Sequence, residues 1–148
     1  MQHGCTNNAT PLRYCGRVSS FERARSTDAK QVRQAAILES AAALARDRGV
    51  REVTLTDIAA GIGMHKSTML RYFETREEIF LRLAATGWTE WSAAVAAQLR
   101  EERPSGSRAA AALATTLVAR PLFCDLLAHV PLNLERGVSL PVVKVFKV

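Results

Sequence analysis

Apolar residues along this chain recur at steps of three and four, the spacing of amphipathic helices, and no strand-like alternation of useful length occurs. The first such pattern predicts a helix from Asp28 to Arg48, with Asp28 as the N-cap and Gly49 as a left-handed C-terminal cap. The apolar face of that helix consists of Ile37, Leu38, Ala41, Leu44 and Ala45. The pattern therefore favours the all-α class.

Residues 54–73 predict two short helices joined by a tight turn at Gly63. Thr54 and Asp57 form a capping-box pattern at the start of the first helix, and the second is expected from His65 to Tyr72. Five apolar side chains can form a shared core: Ile58, Ile62, Met64, Met69 and Phe73. Two short helices crossing at a tight turn are typical of a helix-turn-helix, whose second helix enters the major groove of DNA.

A second capping box, at Thr75 and Glu78, predicts a long amphipathic helix that runs to about Glu102. A break at residues 103–107 separates it from an alanine-rich helix at 107–119. Pro121 suits the first turn of a further helix that stops at Pro131, and an apolar segment follows at 141–148. We therefore expect a three-helix DNA-binding head, a long connecting helix and a short helical C-terminal body.

The predicted domain organisation follows these elements. Residues 1–27 lack periodicity and are expected to form a disordered basic arm. Residues 28–74 form the helix-turn-helix domain, and residues 75–148 form the connecting helix and a partial regulatory domain. Basic side chains near the arm either reach DNA phosphates and the minor groove or are simply solvated: these are Arg23, Arg25, Lys30 and Arg33.

Composition and charge exclude several classes of function but do not identify the function. The net charge of +6 is compatible with nucleic acid, but residues 34–80 carry six basic and seven acidic side chains, so only a local face around Lys66 and Arg71 attracts phosphate. The three cysteines have no metal-ligand spacing, and we expect no metal or other cofactor. No glycine-rich phosphate loop or nucleophile motif is present, so we expect no enzyme. Without an 18-residue apolar run or a signal peptide, the expected location is cytoplasmic.

The second helix of the motif supplies most candidate DNA contacts. Lys66 is the strongest candidate for a phosphate, Arg71 for a guanine edge or a phosphate, and Tyr72 for a phosphate through its hydroxyl. For each of the three, solvation or core packing is the alternative. The other polar candidates are Thr54, Thr56, His65, Ser67 and Thr68. Thr54 either touches the DNA backbone or only caps its helix, and His65 either contacts a phosphate or caps its helix. Thr68 either contacts DNA or only bonds its own backbone.

Eight short pieces occur together between Ile37 and Phe80. They are Ile37-Leu38, Gly49, Thr54-Leu55, Asp57-Ile58-Ala59, Gly63-Met64, Lys66-Ser67-Thr68, Tyr72-Phe73 and Arg76-Glu77. In combination they resemble the DNA-binding domain of TetR-family transcriptional regulators. The resemblance implies a homodimer whose helical body binds a small effector, and whose heads then change spacing and release operator DNA.

The chain departs from the family pattern at several positions. Leu70 stands where the family usually has an aromatic residue on the DNA backbone, so any contact from Leu70 lacks that hydrogen bond. Ser67 replaces a common glycine, and Ala45 replaces an aromatic residue. Family members usually continue with two more helices that build the dimer interface, whereas this sequence stops at Val148. We therefore expect either an unusual dimer interface or a truncated body.

The predicted function is that of a sequence-specific double-stranded DNA-binding transcriptional repressor released by a small ligand. Trp88, Trp91 and Phe123 are weak candidates for the ligand pocket, with ordinary core packing as the alternative. Two other functions stay open. One is a DNA-binding head without a working dimer or ligand domain, and the other is a helical interaction protein that binds no DNA.

Overall fold

The computed structural model describes residues 18–100 and 105–129, with side chains from residue 27 onward in those ranges. All regular secondary structure in this part of the chain is helical, which confirms the all-α class. The chain divides into two compact units, Met1–Val32 and Arg33–Val148. The described part of the first unit is the beginning of one helix. The second unit contains every other element.

Helix α1 spans Val18–Arg48 and begins ten residues before the predicted start. Asp28 therefore lies inside the helix and is not its N-cap. Helix α1 thus covers residues 18–27 of the predicted arm, and residues 1–17 lie outside the described residues. The helix continues because residues 18–48 contain neither glycine nor proline. Farther along the same helix, Val32 is 71% exposed.

Gly49 ends α1 with a positive φ, as predicted, but not in the left-handed helical conformation. Its φ of 83° and ψ of 152° fall in a region essentially restricted to glycine. The chain leaves in an extended direction and forms a single 3₁₀ turn at Val50–Glu52, in which Val50 is buried. This short connector, not the end of α1, leads into the helix-turn-helix.

The helix-turn-helix consists of α2 at Leu55–Gly61 and α3 at Lys66–Met69. Gly63, with a φ of 61°, makes the turn between them as predicted. Helix α3 is shorter than expected because the backbone after Met69 tightens into turns. The amide nitrogens of Tyr72 and Phe73 both donate to the Met69 carbonyl, at 2.8 and 3.1 Å.

Helix α4 spans Arg76–Arg100, α5 spans Gly106–Val118 and α6 spans Pro121–His129. The predicted capping box of α4 forms in part. Thr75 Oγ1 accepts a hydrogen bond from the Glu78 amide at 3.1 Å, but the Glu78 carboxylate accepts from the amide of Glu74, one residue before the predicted donor. The predicted helix end at Pro131 and the segment 141–148 lie outside the described residues.

One hydrophobic core joins the head to α4 and α6. The predicted core residues Ile58, Met69 and Phe73 are fully buried, whereas Ile62 and Met64 pack at its edge. The same cluster includes residues of α1, α4 and α6: Ile37, Ala41, Ala45, Ile79, Phe80, Leu81, Ala84 and Leu126. Helix α4 packs against α5 and α6, and α6 also packs against the 3₁₀ turn.

Among the described helices, none is by itself both long enough and apolar enough to cross a membrane. Only the pair α5 and α6, bent by 93°, meets those criteria of length and composition jointly.

Candidate nucleic-acid interface

Thr54 and Asp57 hold the beginning of α2 through the predicted capping box. Thr54 Oγ1 accepts from the Asp57 amide at 3.2 Å and donates to Asp57 Oδ2 at 2.6 Å, and the Thr54 amide donates to the same carboxylate at 2.9 Å. The Thr54 side-chain and backbone bonds lower the pKa of Asp57, and Arg48, 3.9 Å away, acts in the same direction. The Thr54 hydroxyl is therefore used for capping, whereas Thr56, two residues later, is exposed.

Met69 and Phe73 anchor helix α3 to the hydrophobic core. Met69 is fully buried, and Phe73 is 1% exposed. The other side of α3 carries exposed polar and basic groups. Within the described part of the chain, five of these side chains make no hydrogen bond or ion pair and are free to contact another molecule: His65, Lys66, Ser67, Thr68 and Arg71. His65 is the N-cap residue of α3 but provides no side-chain cap, so the predicted capping role is wrong.

Two further candidates lie at the end of this surface. Leu70 is 47% exposed, unusual for a leucine beside a packed core, and adds an apolar patch among the polar groups. Tyr72 is half-buried and packs against the core, and its backbone carbonyl accepts from Gln34 Nε2 at 3.4 Å. We call the exposed residues around buried Met69 the α3 face, and it consists of His65, Lys66, Ser67, Thr68, Leu70 and Arg71.

Arg76 is a residue whose role the sequence pattern did not reveal. Its guanidinium donates to the carbonyls of Val50 and Val53, so it ties the 3₁₀ turn and the start of α2 to α4. The guanidinium lies 4.8 Å from the centre of the Phe80 ring and pairs with Glu77 at 3.1 Å. The only sequence signal was its place in the family-like pieces, because helical periodicity cannot report a bond to a distant carbonyl.

Asp125 of α6 makes a second connection to the same turn. Its Oδ2 accepts from the Val50 amide at 2.7 Å, across 75 residues of sequence. His129 stands one helical turn on, with Nδ1 at 3.3 Å from Asp125 Oδ1 and 2.8 Å from the Asp125 carbonyl. Val50 is thus held through its amide by α6 and through its carbonyl by α4.

A groove of about 290 Å³ opens between the end of α1, the middle of α4 and the beginning of α6. Of the three predicted pocket residues, Phe123 lines this groove and neither tryptophan does. Trp88 is 50% exposed, and both indoles lie beside Phe123, with ring centres 6.3 Å (Trp88) and 6.0 Å (Trp91) from it. The groove is lined by Ala42, Arg46, Leu83, Thr86, Gly87, Glu90, Ala119, Arg120, Pro121, Leu122, Phe123 and Leu126.

A three-helix head with an exposed second helix in its helix-turn-helix, followed by a long helix and a helical body, defines the class of helix-turn-helix transcriptional regulators. Comparison with protein families supports this class for both the head and the C-terminal body. The model described as "Bacterial regulatory proteins, tetR family" matches residues 37–83, and the model described as "Tetracyclin repressor-like, C-terminal domain" matches residues 85–148. The chain belongs to the TetR family of DNA-binding transcriptional regulators. A search of curated proteins gave no significant match.

Proposed function

We propose that this TetR-family protein is a transcriptional repressor that binds an operator as a homodimer and is released by a small ligand. The observation that carries the DNA-binding part is the α3 face. It presents two cations and several hydroxyl and ring groups without internal partners, on a helix anchored by buried Met69 and Phe73. A rigid helix with unpaired polar side chains suits the major groove, where such groups reach base edges and phosphates.

The α3 face supports a division of roles among its residues. Lys66 neutralises a phosphate, and Arg71 reads a guanine edge. Ser67, Thr68 and His65 make short contacts to phosphate or bases. The remaining candidates make weaker contacts at the edge of the interface. Tyr72 donates its hydroxyl to a phosphate, Leu70 gives an apolar contact, Thr56 approaches the backbone and Thr54 serves as a cap.

Release by a ligand is supported by the position of the groove. Its lining includes Leu126, a member of the core shared with the head, and Asp125 beside it holds the Val50 amide. A molecule entering the groove therefore pushes on the helix that touches the connector to the DNA-binding helices. In this role the protein acts in the cytoplasm, with the chromosomal DNA, and has no catalytic activity.

Selection from random duplex DNA, at near-physiological salt and followed by sequencing, tests the proposed binding mode. We expect enrichment of a palindrome with half-sites about one helical turn, roughly 34 Å, or a multiple of it apart. A single enriched half-site would contradict the dimer and leave a DNA-binding head. Retention without any enriched sequence would contradict operator recognition altogether.

Two variants separate positioning from base reading on the selected site. Lys66→Ala should weaken binding to all sequences alike and reduce the slope of log affinity against log salt by about 0.9, since one phosphate contact is lost. Arg71→Ala should cost about 1–3 kcal/mol on the best site and relax the preference at one base pair.

Arg100→Ala is the matched control for the loss of a cation. Arg100 is exposed at the far end of α4, about 36 Å along the helix from Arg76, so it should leave affinity and salt slope unchanged. An unchanged base preference in Arg71→Ala would reject the reading role of Arg71. Equal effects of Lys66→Ala and Arg100→Ala would reject the α3 face as the interface.

A further inference from the structure

The groove between α1, α4 and α6 is lined by both apolar and charged residues. Leu83, Leu122, Phe123 and Leu126 form apolar walls, and Gly87 contributes bare backbone. Phe123 approaches Gly87 so closely that an added Cβ there would lie 2.5 Å from its Cδ2. Apolar walls with a few charged groups are typical of small-molecule sites, and about 290 Å³ is close to the lower limit of their usual size.

Charged residues of the groove carry an excess of positive charge. They are Arg46 at the end of α1, Arg120 between α5 and α6, and Glu90 on α4. Arg120 donates through Nη1 to the Thr116 carbonyl at 2.8 Å, which fixes its guanidinium. Arg46 is exposed and has no ion pair or hydrogen bond among the described residues. A planar guanidinium without a partner is well suited to bind a carboxylate or sulfonate.

We propose that this groove binds a small amphipathic anion, with its ring or branched chain against Phe123 and Leu83 and its acidic group paired with Arg46. The inference rests on the proposed function, since it names the class of ligand that releases DNA. The volume limits the ligand to a compact molecule, and the unpaired guanidinium favours an acid over the neutral or cationic compound of the same shape.

Two dyes with nearly the same rings test the class directly: anilinonaphthalene sulfonate, an anion, and N-phenylnaphthylamine, its neutral counterpart. Dye emission is titrated with the full-length protein. We expect the sulfonate to bind at least about fivefold more tightly than the neutral dye, and Arg46→Gln to remove that advantage, as expected for one partly exposed ion pair. Arg46→Lys should restore part of it, and Arg100→Gln should change nothing. Thr86→Trp, which fills the groove from an exposed position, should weaken both dyes.

Equal affinities for the two dyes, or an Arg46→Gln variant that behaves as wild type, would overturn the proposal. Binding that survives Thr86→Trp would overturn the location. DNA affinity is measured on the same samples with and without the sulfonate. Failure of operator binding by the free protein contradicts the proposed function, whereas good operator binding with no dye preference contradicts the ligand class alone.

Discussion

Single residues at the head of the molecule are held by bonds that neither helical propensity nor apolar spacing describes. Val50 is 1% exposed, so both polar groups of its backbone need partners inside the protein. Asp125 accepts from its amide and Arg76 donates to its carbonyl. Because these partners come from two different helices, the position of Val50 depends on the arrangement of both.

Asp57 gives a prediction at the scale of one side chain. Its bonds to Thr54 lower its pKa in the folded protein, so the ionised carboxylate stabilises the fold. That contribution is complete above the pKa of Asp in the unfolded chain, about 4, and is lost as the pH falls through the lower folded value. We expect Asp57→Asn to be less stable than wild type at pH 7, with the difference shrinking in acid.

Urea unfolding at a series of pH values measures that difference. Asp47→Asn, which removes an exposed carboxylate of α1 without touching the capping box, provides the comparison. A gap between Asp57→Asn and wild type that stays constant down to pH 2 would show that hydrogen-bond geometry, and not the charge of Asp57, matters.

At the scale of elements, α6 connects the C-terminal body to the head. It packs on α4 through Phe123, contributes Leu126 to the common core and caps the 3₁₀ turn through Asp125. A short helix with contacts to both regions can transmit a displacement from one to the other, provided that its own position differs between two states.

Asp125→Ala tests this transmission. We expect the variant to lose about 1–2 kcal/mol of unfolding free energy, because a buried amide loses a charged acceptor. We also expect it to bind the operator and the sulfonate dye, but with a smaller effect of the dye on operator affinity. The measurement is operator affinity with and without saturating dye, by fluorescence anisotropy of labelled DNA.

Asp125→Asn serves as the conservative comparison, since its amide oxygen still accepts from Val50 and should retain most of the coupling. If Asp125→Ala leaves the dye-dependent change of operator affinity at its wild-type size, α6 does not communicate with the head through Val50.

Local signals in the sequence predicted the elements well and their ends less well. Thr54, Asp57 and Gly63 placed α2 and the turn correctly, because caps and positive-φ glycines act over a few residues. The start of α1 was missed because residues 18–27 show no apolar periodicity in the sequence. Contacts across long sequence distances, such as Asp125 with Val50 and Arg76 with Val53, leave no local pattern. The exposure of the α3 face was therefore predictable from the sequence, and the connection of the head to the body was not.

For the whole molecule, the common core has a further consequence. Residues of α1, α2, α3, α4 and α6 belong to one buried cluster, so the DNA-binding helices of the unit Arg33–Val148 are not packed separately from the connecting helix. A cooperative unfolding transition across the head and α4 follows from such sharing. Substitutions in α6 at Leu126 should accordingly affect the stability of the helix-turn-helix.

The two tryptophans give the protein an intrinsic optical reporter. They are the only ones in the chain, both belong to α4, and the helix-turn-helix has none. Their rings are 5.2 Å apart, both lie beside Phe123, and Trp91 Nε1 donates to Thr116 Oγ1 of α5 at 3.0 Å. Ultraviolet emission of the unlabelled protein thus reports on the α4–α6 region and not on α3.

We expect a shift of the tryptophan emission on addition of a non-absorbing aliphatic carboxylate. DNA alone should shift the emission only if binding at α3 changes the position of α6. Titrating carboxylate before DNA, and DNA before carboxylate, therefore measures the coupling in both directions.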